Sequence, residues 1–311
     1  MISVVIPCFN AEKWIGEALE SVVVQGVDDI EIIVIDDGST DKSVELIERN
    51  FSFVRLIKTS NQGPSKTRNR GTQESKGQFI QYLDADDLLA PNKLKAQFEA
   101  LNDSGADVAY GDWQKLIEDS GGKYVKGQTM KRKLKNPEID LFANCWCPPA
   151  VYLFRRSMVE RVGEWNERLP IIQDARFALD CAFHGGRFVY CPGIMAYYRT
   201  HSVDSVSSRD SIGFVRDCFK NACEIEERWR NCGGINRERK GALVKVYGYI
   251  ARASFKNDPD TFEITYQALE RLSPGYRPEK PRHLRLASKL LGYRKAETLA
   301  YWYRKMKRVF R

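Results

Sequence analysis

The first hundred residues alternate short apolar runs with stretches in which apolar residues recur at helical spacing. Five short runs are predicted to be strands and lie at 2–6, 30–35, 54–57, 78–83 and 107–110; the first two are rich in β-branched residues. Helices are expected between them at 14–23, around Val44 and Ile47, at 66–74, and around Leu94, Phe98 and Leu101. Strands that alternate with helices predict right-handed βαβ units, and therefore an α/β fold with a mainly parallel central sheet.

The pattern changes twice further along the chain. Residues 111–210 are mixed, with strands expected at 151–154, 188–191 and 195–198 and a helix at 175–183. From residue 211 the spacing is helical to the end, with breaks at 273–278 and Pro281. We therefore expect a first domain over 1–210, with halves 1–110 and 111–210, and a helical C-terminal extension over 211–311.

Polar residues follow each of the first four predicted strands. In an open α/β sheet, ligands bind beyond the carboxyl ends of the strands. The residues in question are Pro7, Cys8, Phe9 and Asn10 after the first strand, Asp36 and Asp37 after the second, Asn61, Gly63 and Arg68 after the third, and Asp84, Ala85, Asp86 and Asp87 after the fourth. Turn and cap preferences of Asp and Asn explain any one of these groups, but explain four in succession less well.

Several ligand classes are disfavoured by the same loops. The first turn lacks the GxGxxG dinucleotide fingerprint, and the chain has no GxxxxGK[ST] phosphate loop. A calcium loop starting at Asp84 fails because Leu88 and Leu89 stand where an oxygen ligand and a glycine are required. What remains is a carboxylate pair, Asp84 and Asp86, which suits one Mg²⁺ or Mn²⁺ ion that bridges two phosphates.

Taken in order, these motifs resemble family 2 glycosyltransferases of the GT-A fold. The resemblance covers about residues 1–207 and rests on the whole ordered set. The matching segments are 4–10, 31–41, 61–64, 68–71, 82–87, 154–156, 162–165, 173–177, 198–201 and 205–207.

The resemblance implies a transferase that moves a sugar from a nucleotide-diphospho-sugar, with UDP as the expected nucleotide and inversion as the usual outcome. A glycan or glycolipid acceptor and a place in cell-surface polysaccharide or lipopolysaccharide synthesis are expected. The first domain would then be catalytic, with 1–110 binding the nucleotide sugar and 111–210 the acceptor.

Site roles follow from the resemblance, position by position. It implies that Asp174 is the catalytic base and that Asp86, with His201 nearby, binds the divalent metal. Donor contacts are implied for the remaining matched positions: Pro7, Phe9 and Asn10 at the base and ribose, Asp36 and Asp37 at the uracil edge, Asn61, Arg68 at the base or diphosphate, and Asp84 and Ala85 at the ribose.

Two positions depart from the family pattern, and three have plainer interpretations. Cys8 replaces the usual Thr, Ser or Val, and Gln173 replaces a common Glu, which leaves Asp174 as the only candidate base in its motif. The alternatives are a helix N-cap for Asp174, a surface loop position for His201 and a solvated helix position for Arg68.

The positive charge of the chain is concentrated at the C-terminus. The chain has 49 Lys and Arg against 41 Asp and Glu, a net +8. Residues 277–311 alone carry +10, so the remainder is close to neutral. In this tail, apolar residues at helical spacing alternate with basic ones, which is typical of an interfacial membrane helix. The apolar set is Leu299, Trp302, Tyr303, Met306, Val309 and Phe310.

We therefore expect the tail to meet an anionic membrane surface. The alternative is that its apolar stripe packs on the catalytic domain or on a second subunit, so an oligomer is possible. No nucleic-acid partner is expected, because no zinc finger, aromatic RNA-binding motif or helix-turn-helix accompanies the basic residues.

The expected compartment is the cytoplasm, with the protein peripheral on the membrane. No apolar run approaches the ~20 residues that span a bilayer, and the first ten residues do not resemble a secretory signal. The eight cysteines are consequently expected to be reduced, mostly as core residues.

Two rival functions remain open at this stage. One is a transferase that glycosylates polyprenyl phosphate, and the other is a non-catalytic module that binds a nucleotide sugar. Trp113, Trp146 and Trp165 are candidates for stacking on sugar rings and equally for the core.

Overall fold

The computed structural model describes residues 1–119, 121–200 and 210–309. The chain forms two compact units, Met1–Arg209 and Asp210–Arg311.

One mixed sheet forms the centre of the first unit. Its strands run in the order β3-β2-β1-β4-β8-β6-β9-β5, with β7 paired to β6. β1–β4, β6 and β9 share one direction, and β8 runs antiparallel to both neighbours. The strands are β1 Ile2–Cys8, β2 Ile30–Asp36, β3 Arg55–Lys58, β4 Phe79–Tyr82, β5 Leu88–Leu89, β6 Val108–Glu118, β7 Tyr124–Met130, β8 Leu153–Arg155 and β9 Phe188–Thr200.

Helices cover the sheet, and the predicted alternation of strand and helix is confirmed. β1 is apolar along its length because both faces are covered: Val4, Val5 and Ile6 have no exposed surface. The helices are α1 Ile15–Val23, α2 Ser43–Asn50, α3 Pro64–Glu74, α4 Lys93–Ser104, α5 Arg156–Val162 and α6 Gln173–Phe183, with short helical turns at Pro137–Ile139, Asp140–Asn144 and Pro149–Val151.

Three predictions about strands were incomplete. The strand expected at 107–110 continues to Glu118. The strands expected at 188–191 and 195–198 are one strand, β9, and its pairing with β6 shifts register at Gly111 and Asp112 of β6. β7 was not predicted at all. Its residues are exposed or half-buried, so it has no apolar face that a hydrophobic pattern can reveal.

A buried lysine links the two halves of this unit. Lys93 is 1% exposed, and its ammonium donates to the side-chain oxygen of Gln81 on β4 and to the carbonyl of Tyr152 at 2.9 Å. Burial lowers the pKa of Lys93 well below its usual range. Helix α4 is thereby fixed to strand β4 of the first half and to the segment before β8 of the second.

The second unit consists of helices, as expected. Three of them begin at a side-chain cap, because Asp210, Asn236 and Asp258 each accept a backbone N–H of the first turn. The helices are α7 Ser211–Asn231, α8 Arg237–Ser254, α9 Pro259–Leu272, α10 Arg282–Leu291 and α11 Tyr293–Val309.

Over the described ranges, no helix has the length and apolar content needed to cross a bilayer. All eight cysteines lie within these ranges and none forms a disulfide. Half of them, Cys8, Cys147, Cys181 and Cys191, are buried.

A glycine allows α3 to lie directly on the sheet. A Cβ at Gly71 would be 2.3 Å from Cγ1 of Val5 on β1 and 3.3 Å from Cγ1 of Ile35 on β2. Both neighbours belong to the close-packed core, so they have little room to move.

We expect Gly71→Ala to lower the free energy of unfolding by about 1–3 kcal/mol through overpacking. Gly241→Ala is the matched control, because Gly241 is also helical and a Cβ there meets nothing within 4 Å. The control should gain about 0.4–1 kcal/mol. Calorimetric unfolding of both variants measures the difference, and equal effects would contradict the close contact.

Candidate functional site

The loops after β1 and β2 are joined by hydrogen bonds at the carboxyl edge of the sheet. Asn10 has a positive φ of 50°, its side-chain oxygen accepts the N–H of Thr40 at 2.8 Å, and its own N–H donates to Ser39 Oγ at 2.9 Å. Pro7 is half-buried at the end of β1, and Phe9 is 50% exposed beside it. An exposed ring next to fixed polar loops offers a surface on which a planar base can stack.

Asp37 connects the loop after β2 to the loop after β3. Its two carboxylate oxygens accept the N–H groups of Gln62 at 2.8 Å and Gly63 at 2.9 Å. Asn61 is exposed in the same loop. Asp36 is buried, and its Oδ1 has no hydrogen-bond partner among the described residues. The structure therefore brings the predicted donor residues of the first three strand ends into one connected group of loops.

Arg68 is not the solvated helix residue that one interpretation suggested. It is 3% exposed, its guanidinium lies 4.6 Å from the ring centre of Trp165, and its Nη2 donates to Asp84. Its Nε and Nη1 are buried and have no hydrogen-bond partner among the described residues. Arg68 thus places a positive charge against the acidic loop that follows β4.

Arg199 holds the same acidic loop from the other side, and sequence reasoning gave it no role. Its backbone N–H donates to Asp87 at 3.0 Å, its Nη1 donates to the carbonyl of Asp86 at 2.7 Å, and its Nη2 pairs with Glu17 on α1. Arg199 is 2% exposed. Its position within the matched segment 198–201 was the only signal in the sequence that could have identified it.

The acidic loop concentrates negative charge that is only partly neutralised. Burial raises the pKa of Asp84, and Asp86 raises it further while Arg68 lowers it. Burial and its two acidic neighbours also raise the pKa of Asp87 well above its usual range. Ala85 is buried between these residues.

A divalent cation fits this loop. All its side-chain donors are carboxylate oxygens, and Oδ2 of Asp87 is buried without a hydrogen-bond partner in the described ranges. Within those same ranges, no three His, Cys, Asp or Glu side chains form a metal-ligand group. The protein would therefore supply one or two carboxylates, as Mg²⁺ sites completed by substrate phosphates commonly do. His201 lies outside the described residues.

Asp174 lies in the first turn of α6 and not at its N-cap, which is Ile172. Trp146 Nε1 donates to one carboxylate oxygen at 2.8 Å, and the N–H of Ala175 donates to the other at 2.7 Å. Burial raises the pKa of this carboxyl, and the negative charge of Asp84 raises it further. The two hydrogen-bond donors and the charge of Arg68 act in the opposite direction. The charges of Asp174, Arg68 and Asp84 therefore act on one another.

The three candidate tryptophans separate into two kinds. Trp113 and Trp165 are each 3% exposed, and Trp165 stacks on Phe177 with ring centres 4.2 Å apart, so both belong to the core. Trp146 is half-buried and packs edge-on against Trp113 and Tyr198. It is thus the tryptophan that contacts the candidate base, through a hydrogen bond that sequence reasoning did not foresee.

The architecture has counterparts among solved structures. A crystal structure of S. aureus TarS 1–349 in complex with UDP-GlcNAc matches with a TM-score of 0.60 at 18% identity, over 97% of this chain and 91% of that one. At this identity the likeness concerns the fold alone. The mixed α/β sheet with its covering helices is therefore a GT-A fold, which this chain shares with TarS.

Sequence comparison identifies the family. Residues 3–163 match the sequence model of glycosyl transferase family 2. A glycosyltransferase of Haemophilus influenzae, whose own role is uncharacterized, is 33% identical over 81% of this chain and 95% of its own length. A glycosyltransferase of Rickettsia felis is 36% identical over 40% of this chain, and the matched region is only 21% of that relative's length. The chain belongs to glycosyl transferase family 2 and is a transferase enzyme.

We expect Trp146→Phe to raise the pKa of the Asp174 carboxyl, because the lost indole N–H stabilises its charged form. Titration of ¹³C-labelled aspartate followed by NMR measures this shift. Trp113→Phe changes the same aromatic cluster without removing a bond to Asp174, so it should leave the pKa in place. Equal titration of Asp174 in wild type and Trp146→Phe would contradict the assignment.

Proposed function

We propose that this enzyme moves a sugar from a UDP-sugar to a hydroxyl group of a glycan or glycolipid acceptor, with inversion at the anomeric carbon. The observation that carries the proposal is the position of Asp174: an ionisable carboxylate, oriented by Trp146, within electrostatic reach of Arg68 and Asp84. A candidate proton acceptor and a candidate phosphate-binding loop therefore belong to one site.

The donor would occupy the connected loops at the carboxyl edge of the sheet. Phe9, with Pro7 and Asn10, borders the space for the base and ribose, and Asp36 and Asp37 are the candidates for the uracil edge. Arg68, Asp84 and Ala85 would lie along the ribose and diphosphate, with Asn61 at the margin. The UDP-GlcNAc named for the TarS complex supports a uridine nucleotide here.

Asp174 is the proposed general base. Transfer requires that the attacking hydroxyl loses its proton as the oxygen–carbon bond forms, and a positioned carboxylate contributes about 10²–10⁴-fold to such a step. A single base with one direct displacement inverts the anomeric centre. Burial raises the pKa of Asp174, which makes it a better proton acceptor but shifts its ionisation to higher pH.

Asp86 is the proposed metal ligand, with His201 as a second candidate and Mn²⁺ or Mg²⁺ as the ion. Bound there, the ion would act as a Lewis acid and neutralise the charge of the departing diphosphate. Arg199 holds the backbone carbonyl of Asp86, and Arg68 pairs with the carboxylate of Asp84, so the loop that carries both residues is anchored at two points.

The proposed cellular role is cell-surface polysaccharide or lipopolysaccharide synthesis. A polyprenyl-phosphate acceptor is the second candidate, because a lipid-linked acceptor would match the membrane contact that we propose for the tail. A non-catalytic binding module is disfavoured, because such a module has no need of an oriented, half-buried carboxylate at Asp174.

We also propose that the tail 277–311 holds the enzyme at an anionic membrane on its cytoplasmic face. Seven large apolar side chains on α10 and α11 are 46–81% exposed within the chain: Leu286, Leu290, Leu291, Leu299, Trp302, Tyr303 and Met306. Basic residues such as Arg285, Lys289 and Lys305 accompany them. Like charge disfavours a second copy of the tail as the partner of this face, whereas anionic lipid matches both its charge and its apolar surface.

Two substitutions separate the base from the metal ligand. Asp174→Asn should lower transfer about 10²–10⁴-fold while Mn²⁺ and UDP still bind. Asp86→Ala should weaken Mn²⁺-dependent UDP binding about tenfold or more, as measured by calorimetry. Asp103→Asn, at an exposed position of α4, is the control and should change neither. Transfer near the wild-type rate in Asp174→Asn would refute the base.

Deletion of residues 277–311 should abolish binding to vesicles that contain phosphatidylglycerol, while UDP binding is retained. Flotation of the full chain and of the truncated chain measures this, with neutral phosphatidylcholine vesicles as the control. Undiminished binding of the truncated chain would reject the tail as the membrane contact.

A further inference from the structure

A run of basic residues in the second half of the catalytic unit has no part in the donor site. Residues 121–136 contain six Lys and Arg and no Asp or Glu. They begin at the turn before β7 and continue past its end: Lys123, Lys126, Lys131, Arg132, Lys133 and Lys135. These six residues are called the β7 basic strip below.

All six side chains of the β7 basic strip are exposed, and none forms an ion pair with a residue in the described part of the chain. Some other surface cations of the unit do have acidic partners, for example Lys58 with Glu48 at 2.6 Å. Two of the lysines lie near aromatic rings: Lys126 is 5.3 Å from the ring centre of Tyr197, and Lys133 is 5.8 Å from that of Tyr190. At the end of the strip, Asp140 accepts the backbone N–H of Lys135 at 2.7 Å, and the charge of Lys135 acts on its carboxyl. The strip is therefore a concentrated positive charge that an acidic neighbour offsets only at Lys135.

Two packed tryptophans, Trp113 and Trp146, connect the end of β7 in the strip to the candidate base. Met130, immediately before Lys131, is paired in the sheet with Trp113 of β6. Trp113 packs on Trp146, and Trp146 donates to Asp174. Arg132 also lies near Cys147, which follows Trp146 in the chain. Burial raises the pKa of the Cys147 thiol, and the charge of Arg132 partly offsets that effect.

We propose that the β7 basic strip binds negatively charged groups of the acceptor, so that the acceptor is a polyanion bearing phosphate or carboxylate groups along its chain. The inference rests on the proposed function, because it concerns the molecule whose hydroxyl Asp174 activates. The strip would hold charged units next to the reacting one and align the chain on the base.

A membrane surface suits the strip less well than a polyanionic chain. Interfacial binding combines charge with buried apolar area. Around the strip, Ile117 and Val125 are the large apolar side chains that are exposed among the described residues, and they pair with each other across β6 and β7. The face on α10 and α11 has seven, including a tryptophan and a tyrosine.

The test compares an acidic and a neutral trisaccharide. The probes are trigalacturonate and maltotriose, and binding to the full chain is measured by calorimetry with Mn²⁺ and UDP present. We expect the wild type to prefer trigalacturonate, with a preference that falls as salt rises. The variant Lys131→Gln/Arg132→Gln/Lys133→Gln should lose affinity for it about tenfold, because exposed charge contacts are individually modest but add together.

A matched triple variant controls for the change in net charge. Lys13→Gln/Lys42→Gln/Lys95→Gln removes three charges from exposed or turn positions of the donor half and should bind trigalacturonate like the wild type. Equal affinity of the wild type for both trisaccharides would overturn the proposal, as would unchanged binding in the strip variant.

Two further measurements keep the conclusions separate. If the strip variant loses binding to phosphatidylglycerol vesicles but not to trigalacturonate, the strip is a membrane contact and the proposal is wrong. UDP binding in the strip variant should equal that of the wild type. Absence of UDP binding in the wild type as well would instead be a failure of the proposed function.

Discussion

Two buried guanidinium groups hold the acidic loop after β4, and the geometry of the whole site depends on them. Arg68 reaches Asp84 from α3, and Arg199 reaches the backbone of Asp86 from β9. Burial of like charges is unfavourable unless partners with fixed geometry compensate it. Because the two arginines come from different elements, α3 and β9, they hold the loop at two points, Asp84 and the backbone of Asp86.

The arginines also connect parts of the sequence that have different tasks. Arg68 follows the loop that Asp37 fixes, so the proposed base-binding loops and the proposed phosphate region share one rigid frame. Arg199 links the acidic loop to α1 through Glu17, a partner 182 residues away in sequence. The site is thus assembled from loops that are joined by hydrogen bonds between residues far apart in the sequence.

The sequence predicted the elements whose buried residues recur at regular spacing. It missed the features that depend on contacts between residues far apart in the chain. Strands such as β1, β2 and β4 and helices such as α1 were foreseen because each buries apolar residues in the core. β7 was not foreseen because it buries little. The family motifs pointed to Asp174, but its bond to Trp146, 28 residues away, depends on the fold of the intervening segment. The burial of Arg68 was missed for the same reason. Its polar neighbours in the sequence indicated a solvated position, whereas its burial depends on the fold.

Lys93 gives the catalytic unit a chemical property that follows from its burial. The amine is enclosed between Gln81 and Tyr152, which belong to different halves of the unit, so reagents that acylate lysines reach it only when those halves separate. The exposed lysines of the surface would react at once, whereas this one would react at the rate of global opening. The chain therefore contains an internal reporter that distinguishes local loosening of the donor loops from loss of the whole fold.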